Sequence, residues 1–314
     1  MTFYIFCFLF VGPFLWLGLS LGFLTPCWPV SALYLLWWLW DLTSPSRGGR
    51  SGPLVAWCRG LAVWPHFAAY FPVTLVKTAN LDPGQKYVLC CHPHGVLCFG
   101  AAAAFGTEAA DWSKLFPGLL PRLTSLQGNL LMPLFREFFM LAGAVSASRA
   151  SLDYLLERED GHGEVPVLMV GGVPEMENAA PGEVRLYLSR RKGFCKLALR
   201  HGVALVPCMV FGETQLYNQH SLLASKLRGV TDTMRTCLGI APVVLTGQGW
   251  LQGTLGLLPA RRPLKVVVGA PLLMERVEQP TEEQVTAVHR RYVTALRKLY
   301  CEHNTETGVR LVIV

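Results

Sequence analysis

Tyr87-Val88-Leu89-Cys90-Cys91-His92-Pro93-His94-Gly95 is an apolar run that stops on two imidazoles and a turn. Such a run after the turn signal Asn80-Leu81-Asp82-Pro83-Gly84 reads as a buried strand that ends in an active-site loop. Pro93 fixes its own φ, while Gly95 permits backbone angles and close approaches that a Cβ blocks. Histidine titrates nearest neutrality, so an imidazole at a strand end can take a proton from a hydroxyl and return it. His94 is therefore the leading general base, with His92 as the alternative. A nucleophilic Cys91 is disfavoured, because adjacent strand residues point to opposite faces and His92 would not reach it. His-x-His can also supply two metal ligands, which makes a metal hydrolase the remote reading. The next histidine is His162, in a glycine-rich turn, and no metal is expected.

Outward from this strand, residues 165–170, 204–211 and 265–269 are further β-type runs separated by helix-length segments. That alternation predicts an α/β fold, a mixed and mostly parallel sheet flanked by helices. Helices are expected over 129–142, 151–159 and 189–200. Thr281-Glu282-Glu283-Gln284 is a capping box, and Val285, Val288, Tyr292, Leu296 and Leu299 form the apolar stripe of a docking helix without chemistry.

Ligands of an α/β sheet sit where strand ends converge. The second strand runs into Gly171-Gly172-Val173-Pro174-Glu175 and the third into Phe211-Gly212-Glu213. Glu175 is thus expected beside His94, to orient or charge-stabilise the imidazole. Glu213 is a weaker candidate of the same kind. Arg190-Arg191-Lys192-Gly193 falls at an expected helix start, where backbone N–H groups, Arg191 and Lys192 suit a phosphate-bearing cosubstrate such as coenzyme A.

The N-terminal part has another character. Of 314 residues 52% are hydrophobic, more than a soluble domain carries, and the first charged side chain is Asp41. Residues 2–24 are long enough to cross a bilayer as a helix kinked at Pro13, and 31–40 are too short to cross comfortably. The expectation is a retained hydrophobic hairpin over 1–43, a Ser-, Gly- and Pro-rich linker over 44–53 and a catalytic domain over 54–314. Arg47, Arg50 and Arg59 follow the hairpin and place that domain in the cytosol by the positive-inside tendency. Over 54–76, Trp57, Trp64, Phe67, Tyr70 and Phe71 suit either the membrane interface or core packing. The ten cysteines show no paired C-x-x-C spacing and read as reduced and buried. The net charge of +7 lies wholly after residue 40, which fits an anionic membrane surface or phosphate-bearing substrates. Nucleic acid is not expected as a partner, and nucleotide chemistry finds no Walker loop or G-x-G-x-x-G.

In order and spacing these motifs resemble the type-2 diacylglycerol acyltransferase family, with its monoacylglycerol and wax-alcohol acyltransferases. The match runs through Tyr70-Phe71-Pro72 with Leu75-Val76-Lys77-Thr78, His92-Pro93-His94-Gly95, Arg136-Glu137, Gly171-Gly172 with Glu175, and Arg191-Lys192-Gly193-Phe194. It continues through Phe211-Gly212-Glu213, Leu258-Pro259, Arg262-Pro263 and Val268-Gly269. The resemblance implies an endoplasmic reticulum membrane enzyme, its catalytic domain facing the cytosol. It implies acyl transfer from acyl-CoA to the hydroxyl of a glyceride or long-chain alcohol, with His94 or His92 as base. Gly95, Arg191, Lys192 and Glu213 are then assigned to substrate binding and His94, His92 and Glu175 to catalysis, with no cofactor beyond acyl-CoA as cosubstrate. Membrane lipid is an expected partner, and a homo-oligomer is left open. Ala68-Ala69 stand where the family usually has Arg-Asp, Gln248 where it often has an arginine, and Val173-Pro174-Glu175-Met176 replaces a more common Ala-x-Glu-Ala. A catalytically weak or inactive lipid-binding relative is therefore the second reading.

Overall fold

The computed structural model describes residues 12–158, 163–217, 233, 247–249, 255–305 and 309–314. His162 and residues 1–11 lie outside that set. In chain order the strands are β1 Val73–Lys77, β2 Tyr87–His92, β3 Leu120–Ser125, β4 Val145–Ser146, β5 Glu164–Met169, β6 Glu183–Leu186 and β7 Ala204–Phe211. They continue with β8 Gly247–Gln248, β9 Leu255–Gly256, β10 Leu264–Val268 and β11 Arg310–Ile313. Seven of them form one sheet in the order β1-β10-β7-β2-β5-β3-β4. Every neighbouring pair is parallel except β10 with β7. The mixed, mostly parallel sheet flanked by helices is thus present.

β2 is buried at every position and lies between β7 and β5. A strand covered on both faces has no polar side to show, which is why it reads as an unbroken apolar run. Its residues alternate between two cores. Val88 and Cys90 join Leu205, Met209 and Phe211 under the Glu282–His303 helix. Tyr87, Leu89 and Cys91 join Val206, Cys208, Val210 and the Phe99–Phe105 helix on the other face. His92 shares the parity of Val88 and Cys90, so it faces the C-terminal helix. That helix has the expected capping box: Thr281 Oγ1 accepts from Gln284 N–H, and Gln284 Oε1 accepts from Thr281 N–H. Its buried stripe includes Val285, Val288, Tyr292, Leu296 and Leu299.

Three helical expectations shift. The 129–142 helix is broken into Gln127–Leu131 and Phe135–Leu141, because Pro133 lacks an N–H and forces Met132 out of the helical region, and Leu134 takes a positive φ of 64°. The 189–200 helix starts only at Gly193, with Lys192 at its N-cap, and the 151–159 helix is Arg149–Glu157, capped by Ser148. The strands that alternation missed, β1, β3, β4, β6, β8, β9 and β11, are short, nonlocal or carry breakers. β3 contains Pro121 and a buried Arg122, while β6 pairs with β11 from the far end of the chain. β1 and two short helices occupy the aromatic 54–76 stretch, where Phe67 and Phe71 pack with Phe99.

At the N-terminus, helices Gly12–Gly22 and Trp28–Trp40 pack against one another. Among the described residues no helix is long and apolar enough to cross a membrane. Both helices nonetheless expose large apolar side chains, including Trp16, Leu21, Trp28, Leu33 and Trp40. The second is tied to the sheet domain: Trp38 Nε1 donates to Leu131 O at 3.0 Å, and Leu134 N–H donates to Tyr34 OH at 2.6 Å. Just beyond it Asp41 is buried, paired with Arg50 at 2.7 Å and with the fully buried Arg136. Within 44–53, Ser44–Ser46 form a 3-10 turn with Pro45 buried, and Pro45 O accepts from Ser151 Oγ at 3.3 Å.

Candidate active site

Because β2, β5 and β7 are parallel, their carboxyl ends share one edge of the sheet, and the segments after them carry His94, Glu175 and Glu213. The two imidazoles have different surroundings. His92 has no exposed surface, and its Nε2 lies 2.9 Å from Tyr292 OH. That hydroxyl donates to Cys90 O at 3.2 Å, so its oxygen accepts from His92 Nε2–H. His92 Nδ1 is left without a hydrogen bond, 3.9 Å from Glu175 Oε1.

His94, two residues further and past the cis His92-Pro93 bond, is only partly buried. Its Nδ1 lies 3.0 Å from Gly95 O. A carbonyl only accepts, so Nδ1 carries the proton and Nε2 presents its lone pair. Burial pushes the His94 pKa below the usual histidine value, which keeps the ring neutral at pH 7. Cys98 Sγ sits 3.3 Å from Nδ1 and 3.6 Å from Nε2, and so it contacts the ring near the carbon between them. Burial, Glu213 and Glu175 hold the Cys98 thiol well above its ordinary pKa. Cys91 is fully buried, and Cys208 together with burial raises its pKa too, so neither is an activated thiolate.

Glu175 comes to the same edge as expected, yet its partners differ. It accepts from the backbone N–H of His94 at 2.9 Å and of Tyr187 at 3.1 Å and makes no hydrogen bond to the His94 ring. It thereby joins the loop after β2 to the chain leaving β6. A Cβ on Gly171 would fall 1.8 Å from Glu175 Cδ, which gives this glycine a steric role. Glu213 also departs from expectation: it lies under the loop, 2% exposed, and is not open to a ligand. Its two oxygens accept from Phe99 N–H and Gly100 N–H, each at 2.8 Å, and burial, outweighing those bonds, lifts its pKa to about 7. Gly95 has φ +60°, and a Cβ there would sit 2.3 Å from Glu213 Cγ, so both backbone and space require glycine. Arg191 is exposed, and Lys192 Nζ donates to Thr286 Oγ1 at 3.0 Å. Both follow closely on Tyr187, whose amide Glu175 links to the His94 loop.

Sequence reasoning missed Tyr292, Tyr187 and Cys98. For Tyr292 a signal existed, since a tyrosine in a buried stripe must find a partner for its hydroxyl. The C-terminal helix is thus more than a docking element, because it supplies the hydrogen-bond partner of His92. Among the described residues no group of three or more His, Cys, Asp or Glu is placed to hold a metal.

An imidazole with an unprotonated Nε2, at the convergent ends of parallel strands, is the arrangement of an α/β enzyme whose ligand meets the sheet edge. The chain belongs to the diacylglycerol acyltransferase family, whose model matches residues 20–313. It is 40% identical over 293 residues to human acyl-CoA wax alcohol acyltransferase 2, covering 93% of this chain and 87% of that one. It is 39% identical over 308 residues to diacylglycerol O-acyltransferase 2 of Danio rerio, covering 96% and 84%. Human 2-acylglycerol O-acyltransferase 3 is 40% identical over 308 residues, covering 98% and 89%. A solved 1-acyl-sn-glycerophosphate acyltransferase from Thermotoga maritima aligns over 94% of this chain and 97% of that chain at 8% identity, with a TM-score of 0.43, too loose to bear on the argument.

Proposed function

We propose that this protein transfers a fatty acyl group from acyl-CoA to the hydroxyl of a mono- or diacylglycerol or a long-chain alcohol, with His94 as general base. The observation that carries the base assignment is the contrast between the rings. His94 is partly exposed with Nε2 unprotonated, whereas His92 is sealed and bonded to Tyr292. In this reading His94 Nε2 takes the proton of the acceptor hydroxyl as its oxygen attacks the thioester carbonyl, a contribution of about 10² to 10⁴-fold. Glu175 is a positioning residue that fixes the backbone of His94, and His92 with Tyr292 braces the strand end. Glu213 is reassigned from substrate binding to support of the Gly95 turn. No cofactor beyond acyl-CoA is invoked.

Substrates of this class live in a bilayer, and the exposed apolar side chains of the Gly12–Gly22 and Trp28–Trp40 helices support a membrane-seated N-terminus over residues 1–43. We place the enzyme on the endoplasmic reticulum membrane with residues 54–314 facing the cytosol. The deciding experiment feeds labelled palmitoyl-CoA and a panel of dioleoylglycerol, 2-oleoylglycerol and hexadecanol to microsomes expressing the chain. Ester formation above a His94→Ala control is expected and must persist in chelator, which separates it from a metal hydrolase. Absence of any such ester would favour the weak or inactive relative suggested by Ala68-Ala69 and Gln248.

Arg191 and Lys192 are proposed to hold the phosphates of the donor. Their joint replacement by alanine should raise the KM for palmitoyl-CoA by about tenfold, the size of a lost charge-assisted contact or two, and leave the acceptor KM unchanged. An unaltered donor KM removes this assignment.

A further inference from the structure

From Ser51 to Val76 the chain holds one charged side chain, Arg59, where a soluble domain carries about one charge in every four residues. That one is buried: its guanidinium donates to Phe105 O at 2.7 Å and pairs with Glu108 at 3.1 Å. The surface of this stretch is therefore free of charge, and much of it faces outward. Leu54 is 59% exposed, Trp57 64% and Val63 44%, and Ala62, Pro65 and Ala69 are exposed too. Exposed apolar side chains gathered without charge mark a surface that something covers. Its neighbours say what. The Pro53–Arg59 helix packs against Phe135–Leu141, and the segment leading into Phe135 holds the Trp28–Trp40 helix, through Leu131 O to Trp38 and Leu134 N–H to Tyr34. The uncharged surface thus continues the exposed apolar side chains of the N-terminal helices. Arg47 is exposed just before it, and at its far end Arg261 acts electrostatically on the Tyr70 hydroxyl, with Arg262 exposed alongside. None of these three arginines has an acidic partner among the described residues. An apolar centre with cations at its ends matches a bilayer with anionic headgroups.

We propose that the Pro53–Arg59 and Val63–Tyr70 helices are a second membrane contact, carried by the catalytic domain itself, with Leu54, Trp57 and Val63 set into the boundary between headgroups and acyl chains. Indole rings settle at that level, and amphipathic helices sink about 5–10 Å into it. The contact bears on the reaction site. β1 is parallel to β10, and β10 is antiparallel to β7, so β1 runs against β2 and the Val63–Tyr70 helix reaches the sheet at the edge that carries His94. On the buried side of that helix Phe67 packs against Phe99, with ring centroids 6.2 Å apart, and Phe99 follows Cys98, which touches the His94 ring. Seating these helices brings the His94 edge to the bilayer, where a lipid hydroxyl arrives without crossing water. The inference rests on the membrane-seated N-terminus proposed above and not on the acyl-transfer chemistry.

The test uses the full chain in nanodiscs of tritiated phosphatidylcholine and phosphatidylserine. The photo-reactive residue p-benzoyl-phenylalanine replaces, one at a time, Trp57, Val63, Trp40 and Gln85. All four are exposed, so the probe disturbs no core packing. Trp40 reports on the N-terminal helices, and Gln85 precedes β2 at the opposite edge of the sheet from His94. After irradiation, lipid label on the chain should be about fivefold or more higher from positions 57 and 63 than from Gln85, because only a side chain in the acyl boundary keeps lipid within reach. Label from Gln85 equal to that from Trp57 overturns the proposal. A covalent dimer from Trp57 in place of lipid overturns it as well and makes this face a contact between copies of the chain. Lipid label from Trp40 with none from Trp57 and Val63 overturns it while leaving the N-terminal helices in the membrane. No lipid label from Trp40 or from Trp57 and Val63 removes both readings at once.

Discussion

His94→Ala is expected to lower acyl transfer by about 10² to 10⁴-fold in microsomes while the protein still sediments with the membrane fraction. The loss should fall on kcat, since the lone pair on Nε2 acts on the proton in flight and contributes little to holding either substrate. The pH profile supplies an independent reading. Burial lowers the His94 pKa, so the ring takes up its blocking proton only below the usual histidine range. The wild-type kcat/KM should therefore hold level from pH 8 down to about 6.5 and fall only below that value, the ordinary histidine pKa. Near-normal turnover in His94→Ala, or an acid limb displaced above the ordinary value, would remove the assigned role. His92→Ala is expected to behave differently: it strips one of the two partners of Tyr292 OH and opens a cavity inside the core, so its first effect should be on thermal stability.

Asp41→Ala should be the most destabilising single change near the N-terminal helices. Arg136 is fully buried, and its guanidinium bonds to the side chain and the carbonyl of Asp41. Among the described residues, removing the carboxylate leaves that cation in the interior with Glu137, at 3.2 Å, as its remaining ion-pair partner. Breaking a buried pair from one side costs about 3–5 kcal/mol, which in a domain of this size lowers Tm by on the order of 10 °C. Arg50 also loses its closest partner, so the 44–53 segment should become open to limited proteolysis. An exposed pair such as Lys298 with Glu302 provides the contrast, because its loss should hardly move Tm. A change below about 1 kcal/mol in the Asp41 variant, the surface-pair range, would show that the cluster is solvated.

Much of the sheet was legible because its central strands are buried on both faces. β2, β5, β7 and β10 each read as a short apolar run, within a residue or so of their ends, since a two-sided core leaves no other pattern. The C-terminal helix was legible for a local reason, a capping box followed by a stripe at helical spacing. β3 and β6 were not, because Pro121, Arg122 and Arg185 obscure the pattern and only partners distant in sequence make them strands. The break at Pro133 was written in the sequence but outweighed by apolar periodicity on both sides.

By itself the sequence determined the chemistry available: two imidazoles at a strand end, carboxylates at two others, glycines at the turns, and an apolar start free of charge. Residue type and short-range pattern suffice for that, because strand parity and turn chemistry act over a few neighbours. Only the tertiary structure decided which groups meet. It turned His92 inward to Tyr292, two hundred residues away, and left His94 at the edge. It sent Glu175 to a backbone amide and put Glu213 beneath Gly95. Those choices follow from packing a parallel sheet between helices, where a side chain's partner is fixed by whichever distant element covers it.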